Sequence, residues 1–134
     1  MKLYRPVSLS LCIVFALVGL LFFISPHMVL EFFNGLSSSL GMSLMPIQSF
    51  GFYPLLTVGY MYLVTLLAFL MYRHPTNRDF PILLIHGKLA TSILSLAFFL
   101  VHGQYLIYIT NFIVDGFIGI AVLVFYLKMK TLSR

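Results

Sequence analysis

Charge is scarce in this sequence. Lys, Arg, Asp and Glu make up 8% of its 134 residues and hydrophobic types 61%, whereas soluble domains carry roughly 25% charged residues. That balance excludes an ordinary water-soluble globule. Acidic groups are the rarest, limited to Glu31, Asp79 and Asp115, and there is one cysteine, Cys12. A lone thiol excludes an intrachain disulfide or a thiolate metal cluster, and it says nothing about redox compartment. The sequence also lacks a Gly-rich phosphate loop, a nucleophile elbow and a zinc-ligand pattern. Its apolar runs do not alternate with polar residues, which argues against a membrane β-barrel.

Long uncharged tracts are what the chain has instead. No charged residue falls between Arg5 and Glu31, between Glu31 and Arg73, or between Lys88 and Asp115. Each tract contains a run close to the ~20 residues a helix needs to cross a hydrocarbon core at about 1.5 Å per residue. The expected fold is all-α: a single-domain integral membrane four-helix bundle with spans at about 7–25, 51–72, 82–102 and 105–127. The basic start at Lys2 and Arg5 resembles a signal peptide. However, the first apolar run is longer than a usual signal core, and Phe-Phe-Ile-Ser-Pro26 lacks a small-residue cleavage site, so a retained span is expected.

A net charge of +5 and a pI near 9.6 raise the question of a nucleic-acid partner. The placement of the charge answers it. Apart from Lys88, every basic residue lies before span one, between spans two and three, or after span four; the connections at 26–50 and 103–104 have none. This is a positive-inside pattern, so both ends of the chain are expected on the cytoplasmic side and no nucleic-acid partner is expected.

Ser8, Cys12, Ala16 and Gly19 form one stripe of small residues on span one, suited to close helix packing. In the outer connection, Pro26–Phe33 is expected to be a short interfacial helix, capped by Ser25 and ended by Asn34-Gly35. The following piece, Leu36 to Gln48, reads either as loop or as a second interfacial turn. Tyr53 and Tyr72 mark the ends of span two in the manner of an interfacial aromatic belt.

Spans three and four are joined by little more than Gly103-Gln104 and form a tight hairpin. At about 100° per residue, Lys88, Ser92, Ser95, Phe99 and His102 share one face of span three, and Gln104, Tyr108, Asn111, Asp115 and Val122 share one face of span four. A charge near the membrane centre costs roughly 2.5–3.5 kcal/mol, so such residues turn toward a bundle interior or wet cavity. Measured from the turn, Asp115 is level with Ser92, and Lys88 is about one turn, or ~6 Å, deeper. Because side chains lean toward their own helix N-terminus, the expectation is that Lys88 snorkels toward the cytoplasm. Asp115 is then expected to find Ser92, Ser95, Asn111 or a tyrosine hydroxyl. Without a cation it would be a neutral hydrogen-bonding staple, or a protonatable group in a pocket walled by residues such as Tyr60, Tyr62 and Tyr108.

The histidines do not suggest haem. His86 and His102 point about 160° apart on their helix, and His27, His74 and His102 sit at span ends. His27 and Glu31, one turn apart, would need His102 to form even a sparse metal site, and no metal site is expected.

The length, Phe23-Ile-Ser-Pro26, the Phe-Phe-Asn-Gly-Leu36 segment and a hairpin carrying Lys88 and Asp115 together resemble the DoxX-like group of small four-helix membrane proteins. The resemblance covers most of the chain and implies a membrane partner of a quinone-linked oxidoreductase, as some relatives are. It carries no catalytic residue across. The favoured reading is therefore a non-catalytic membrane subunit or binding module. Its ligand site would comprise Asp115, Asn111, Tyr108, Ser92, Ser95 and Lys88, and would take a quinone-like molecule or lipid head group. The alternative is a small oligomeric transporter using Asp115 as its protonatable site, although no inverted repeat or broken-helix pair supports it. An enzyme is disfavoured because no nucleophile–base or metal constellation is present, and the residues name no cofactor. The expected surroundings are the lipid bilayer of a bacterial cytoplasmic membrane, with a membrane-protein partner or further copies of the chain.

Overall fold

The computed structural model describes residues 3–47 and 53–132. They form the helices α1 (Tyr4–Ile24), α2 (Pro26–Ser39), α3 (Tyr53–Arg73), α4 (Asp79–Val101) and α5 (Leu106–Leu132). Four of these, α1, α3, α4 and Leu106–Lys128 of α5, are long and apolar enough to cross a membrane. The expected span boundaries agree with them to within a few residues. Three positions used in that reading, Lys2, Gly51 and Arg134, lie outside the described residues, as does Gln48.

Only 11% to 22% of each spanning window is buried. Many large apolar side chains are exposed, Phe23, Ile24, Leu100 and Phe117 among them, which is costly in water and costless in hydrocarbon. The core is correspondingly narrow: Tyr4, Phe15, Met61, Val64, Ala68, Met71, Leu84, Ile85 and Val122.

Two helix pairs build the bundle. α1 lies along α3 and α4 along α5; α3 packs on α4, and α2 touches both α1 and α5. Small residues set the close approaches. A Cβ placed on Gly19 would lie 3.1 Å from the Met61 Cβ, so the small stripe of α1 does face α3 there. On α5, a Cβ at Gly116 would lie 2.9 Å from Ser92 Oγ, and one at Gly119 would lie 2.8 Å from Leu89 Cδ2. A larger residue at either point would force Ser92 or Leu89 to shift.

The α4–α5 turn depends on Gly103, whose φ of 151° lies in a region that other residues rarely enter. Ser43 bridges to Tyr105 in this turn, so the 40–47 segment and the turn share one end of the bundle. At the opposite end, the Asn77 carboxamide oxygen accepts the Asp79 N–H at 2.8 Å and tightens the entry to α4.

Two expectations about the connection between the first two spans are corrected. Ser25 precedes α2 with Pro26 at the first turn, but its side chain makes no capping bond. Helix α2 also continues through Asn34-Gly35 to Ser39. Asn34 does not end the helix because its carboxamide reaches sideways, accepting the Met45 N–H at 2.8 Å and donating to the Met45 carbonyl at 2.9 Å. The helix ends at Gly41, with φ 66°. There, Met42 N–H returns to the Ser37 carbonyl at 2.9 Å and Gly41 N–H to the Ser38 carbonyl at 3.2 Å, the bonding pattern of a glycine-terminated helix.

Candidate functional site

Lys88 and Asp115 meet at the centre of the bundle. Lys88 Nζ donates to Asp115 Oδ1 at 2.8 Å, and the two side chains are 3% and 7% exposed. This overturns the expectation that Lys88 snorkels away. Ser92 and the Asp115 turn do lie at one level, as expected, since a Cβ on the adjacent Gly116 would lie 2.9 Å from Ser92 Oγ. The four-carbon lysine stem, however, spans about one 5.4 Å turn, and the glycine seam shortens the gap that it must close. An unpaired charge on either helix would also cost more than a bent lysine rotamer.

The remaining carboxylate oxygen is used as well. Asp115 Oδ2 accepts a hydrogen bond from the Thr91 hydroxyl. The Tyr60 hydroxyl lies 3.4 Å from Thr91 Oγ1. The single Thr91 hydrogen has the Asp115 carboxylate and the Gly87 and Lys88 carbonyls, both at 3.1 Å, as nearer acceptors, so Tyr60 is the donor in that contact. A short chain thus runs from Tyr60 on α3 through Thr91 on α4 to Asp115 on α5.

Lys88 is bounded on its other sides by aromatic faces. Its Nζ is 4.5 Å from the Phe15 ring centroid and 5.1 Å from that of Tyr60. Both distances allow a cation–π attraction, which is stronger where the ammonium is desolvated. One ion pair therefore draws on all four long helices. Lys88 bonds only to Asp115 among the described residues, although an ammonium has three N–H donors.

The other proposed site residues separate into those near the pair and those away from it. Ser92 is buried, with its hydroxyl donating to the Phe112 carbonyl at 2.7 Å across the seam. Ser95 accepts from the Asn111 Nδ2 at 2.6 Å, but Asn111 is exposed on the flank of the hairpin. Tyr108 packs edge-on against Phe98 and Tyr105, with centroids 5.8 and 5.6 Å away, toward the α4–α5 turn. The stripe therefore faces inward at Lys88, Ser92 and Asp115 and emerges at the surface by Asn111. Tyr62 is turned outward, 69% exposed.

Phe15 connects the pair to a second feature. It lines a groove of about 310 Å³ between α1 and α3, with Gly19, Phe23, Met61 and Tyr62 among its other walls. The lining is almost wholly apolar. Thr65, also on the groove, spends its hydroxyl on the Met61 carbonyl at 2.7 Å.

Sequence reasoning missed Thr91, Phe15, Gly116 and Gly119. Thr91 was within reach, since it lies three residues after Lys88 and hence on the same face. Gly116 and Gly119 directly follow Asp115 at a small-residue spacing. Phe15 carried no signal, because one Phe among many apolar residues on α1 is not distinguishable from lipid-facing neighbours. Among the described residues, no group of three or more His, Cys, Asp or Glu is placed to hold a metal ion. His86 turns its Nδ1 back to the Ile82 carbonyl at 2.8 Å, and His102 stacks on Phe98 at 4.7 Å.

Fold and site together define an all-helical chain with four potential membrane-crossing helices around a buried lysine–aspartate pair. No family model, curated protein or solved structure matches it.

Proposed function

We propose that this protein is a non-catalytic membrane module, with both termini cytoplasmic, α2 at the outer interface and a small amphiphilic ligand held beside Lys88. The observation that carries this reading is the surplus of donors on a desolvated cation. Lys88 commits one bond to Asp115, and its ammonium otherwise faces the Phe15 and Tyr60 rings. A carbonyl or phosphate oxygen is a stronger acceptor than a ring face. The Phe15 ring separates this cation from the apolar α1–α3 groove. A ligand with an apolar tail and an oxygen-bearing head, of the quinone or lipid class, would lie with its tail in the groove and reach Lys88 once Phe15 turns aside. Asp115, itself held by Thr91, orients the cation, and Ser92 ties α4 to α5 one turn along through the Phe112 carbonyl. Ser95, Asn111 and Tyr108 form a polar flank toward the outer end, where a membrane-protein partner or a second copy can contact the hairpin. The bacterial cytoplasmic membrane is the location consistent with the basic inner loop.

Mass spectrometry of small molecules extracted from protein purified in mild detergent tests this reading. Wild type should carry a quinone or a lipid at a fixed stoichiometry. The double variant Lys88→Met/Asp115→Leu, which leaves no unpaired charge, should lose it while remaining folded. Equal retention by the double variant, or no bound amphiphile in wild type, refutes the assignment.

A further inference from the structure

Helix α2 has a face that nothing among the described residues covers. Its bundle side is plain: Leu30 and Ser37 are buried, and Phe33 and Asn34 are half-buried beside them. Met28, Phe32, Leu36 and Leu40 follow one another at steps of four, and all remain exposed, Met28 by 67% and Phe32 by 63%. At about 100° per residue they fall within a sector of roughly 120°. Ser39, the polar residue in that sector, turns its hydroxyl back to the Gly35 carbonyl at 3.1 Å. The exposed polar side chains His27, Glu31 and Ser38 lie together on a third sector, across the helix from the apolar stripe.

We infer that α2 is a leaflet-inserted anchor whose Met28–Leu40 stripe lies among the acyl chains of the outer leaflet. The inference rests on the membrane placement proposed above. Continuity selects lipid as the occupant. Only Ser25 separates α2 from α1, so the stripe adjoins Phe23 and Ile24, the 70% and 73% exposed end of an apolar span. A helix with one side on the bundle, one apolar and one polar has the arrangement needed to lie along an interface, its apolar side some 5–10 Å into the headgroup–acyl boundary. The 26–50 connection has no Lys or Arg, so insertion depends on apolar area and not on attraction to anionic lipid.

The chain contains no tryptophan, so each single-Trp variant reports on one site. Phe32→Trp, Ser38→Trp and Phe117→Trp, the last on the exposed mid-span surface of α5, are reconstituted in phosphatidylcholine vesicles with brominated acyl chains. Phe32→Trp should show blue-shifted emission and stronger bromine quenching than Ser38→Trp, with the order reversed for aqueous acrylamide. Adding phosphatidylglycerol should leave both unchanged. Met28→Trp reads the same stripe if Phe32→Trp does not reconstitute. Acrylamide quenching of the stripe as strong as that of Ser38→Trp overturns the inference, and so does shielding from both quenchers, which would place protein over the stripe. Bromine quenching of Phe117→Trp without that of Phe32→Trp sinks the anchor alone; absence of both sinks the membrane placement itself.

Discussion

Lys88 and Asp115 are each unfavourable inside an apolar bundle, and each makes the other tolerable. Removing one partner leaves an uncompensated buried charge, at a cost of about 3–5 kcal/mol, whereas replacing both by apolar residues is often neutral or stabilising. Lys88→Met alone and Asp115→Leu alone should therefore lower the thermal midpoint in detergent sharply, with Lys88→Met/Asp115→Leu recovering most of the loss. Additive losses in the double variant would show that the two side chains are not energetically coupled. The inward direction of Asp115 was legible in the sequence, because a carboxylate in an uncharged run cannot face lipid cheaply. Its partner was not legible. Helix direction and register argued against Lys88, and the length of the lysine stem, together with a seam narrow enough for it to cross, decided otherwise.

At the scale of the helices, two glycines account for that seam. A methyl group on Gly116 would press on Ser92 Oγ, which cannot yield without loosening its bond to the Phe112 carbonyl. Gly59 on α3 has open space around its missing side chain. Gly116→Ala should cost about 1–3 kcal/mol by overpacking, and Gly59→Ala should be neutral or stabilise by roughly 0.5–1 kcal/mol through helix propensity. Paired chemical or thermal unfolding measurements check this, and similar effects at both sites would contradict a tight α4–α5 seam. The helices themselves were easy to locate from apolar length. The end of α2 was not: Asn34-Gly35 has the composition of a helix stop, but the Asn34 carboxamide is occupied with Met45, a residue eleven positions further on. Local rules cannot anticipate a bond made only once the loop has folded back.

For the whole molecule, the Ser43–Tyr105 bridge places the α1–α3 connection and the α4–α5 turn at one end, and the 74–78 loop closes the other. The proposed topology puts the 74–78 end, flanked by Arg73 and Arg78, on the cytoplasmic side. In a Cys12→Ser background, Thr76→Cys should react with an impermeant maleimide only after cells are opened, and Ser38→Cys should react in intact cells. The reverse pattern would invert the proposed topology. The sequence by itself determined the all-helical class, the extent of the spans and the charge asymmetry, because these depend on how each segment partitions between water and hydrocarbon. Only the tertiary structure decided which helices pair, that Phe15 and Tyr60 face the ammonium, and that Lys88 bends to Asp115. Those outcomes depend on inter-helix distances of a few ångströms, and periodicity along one helix contains no information about its distance from the next.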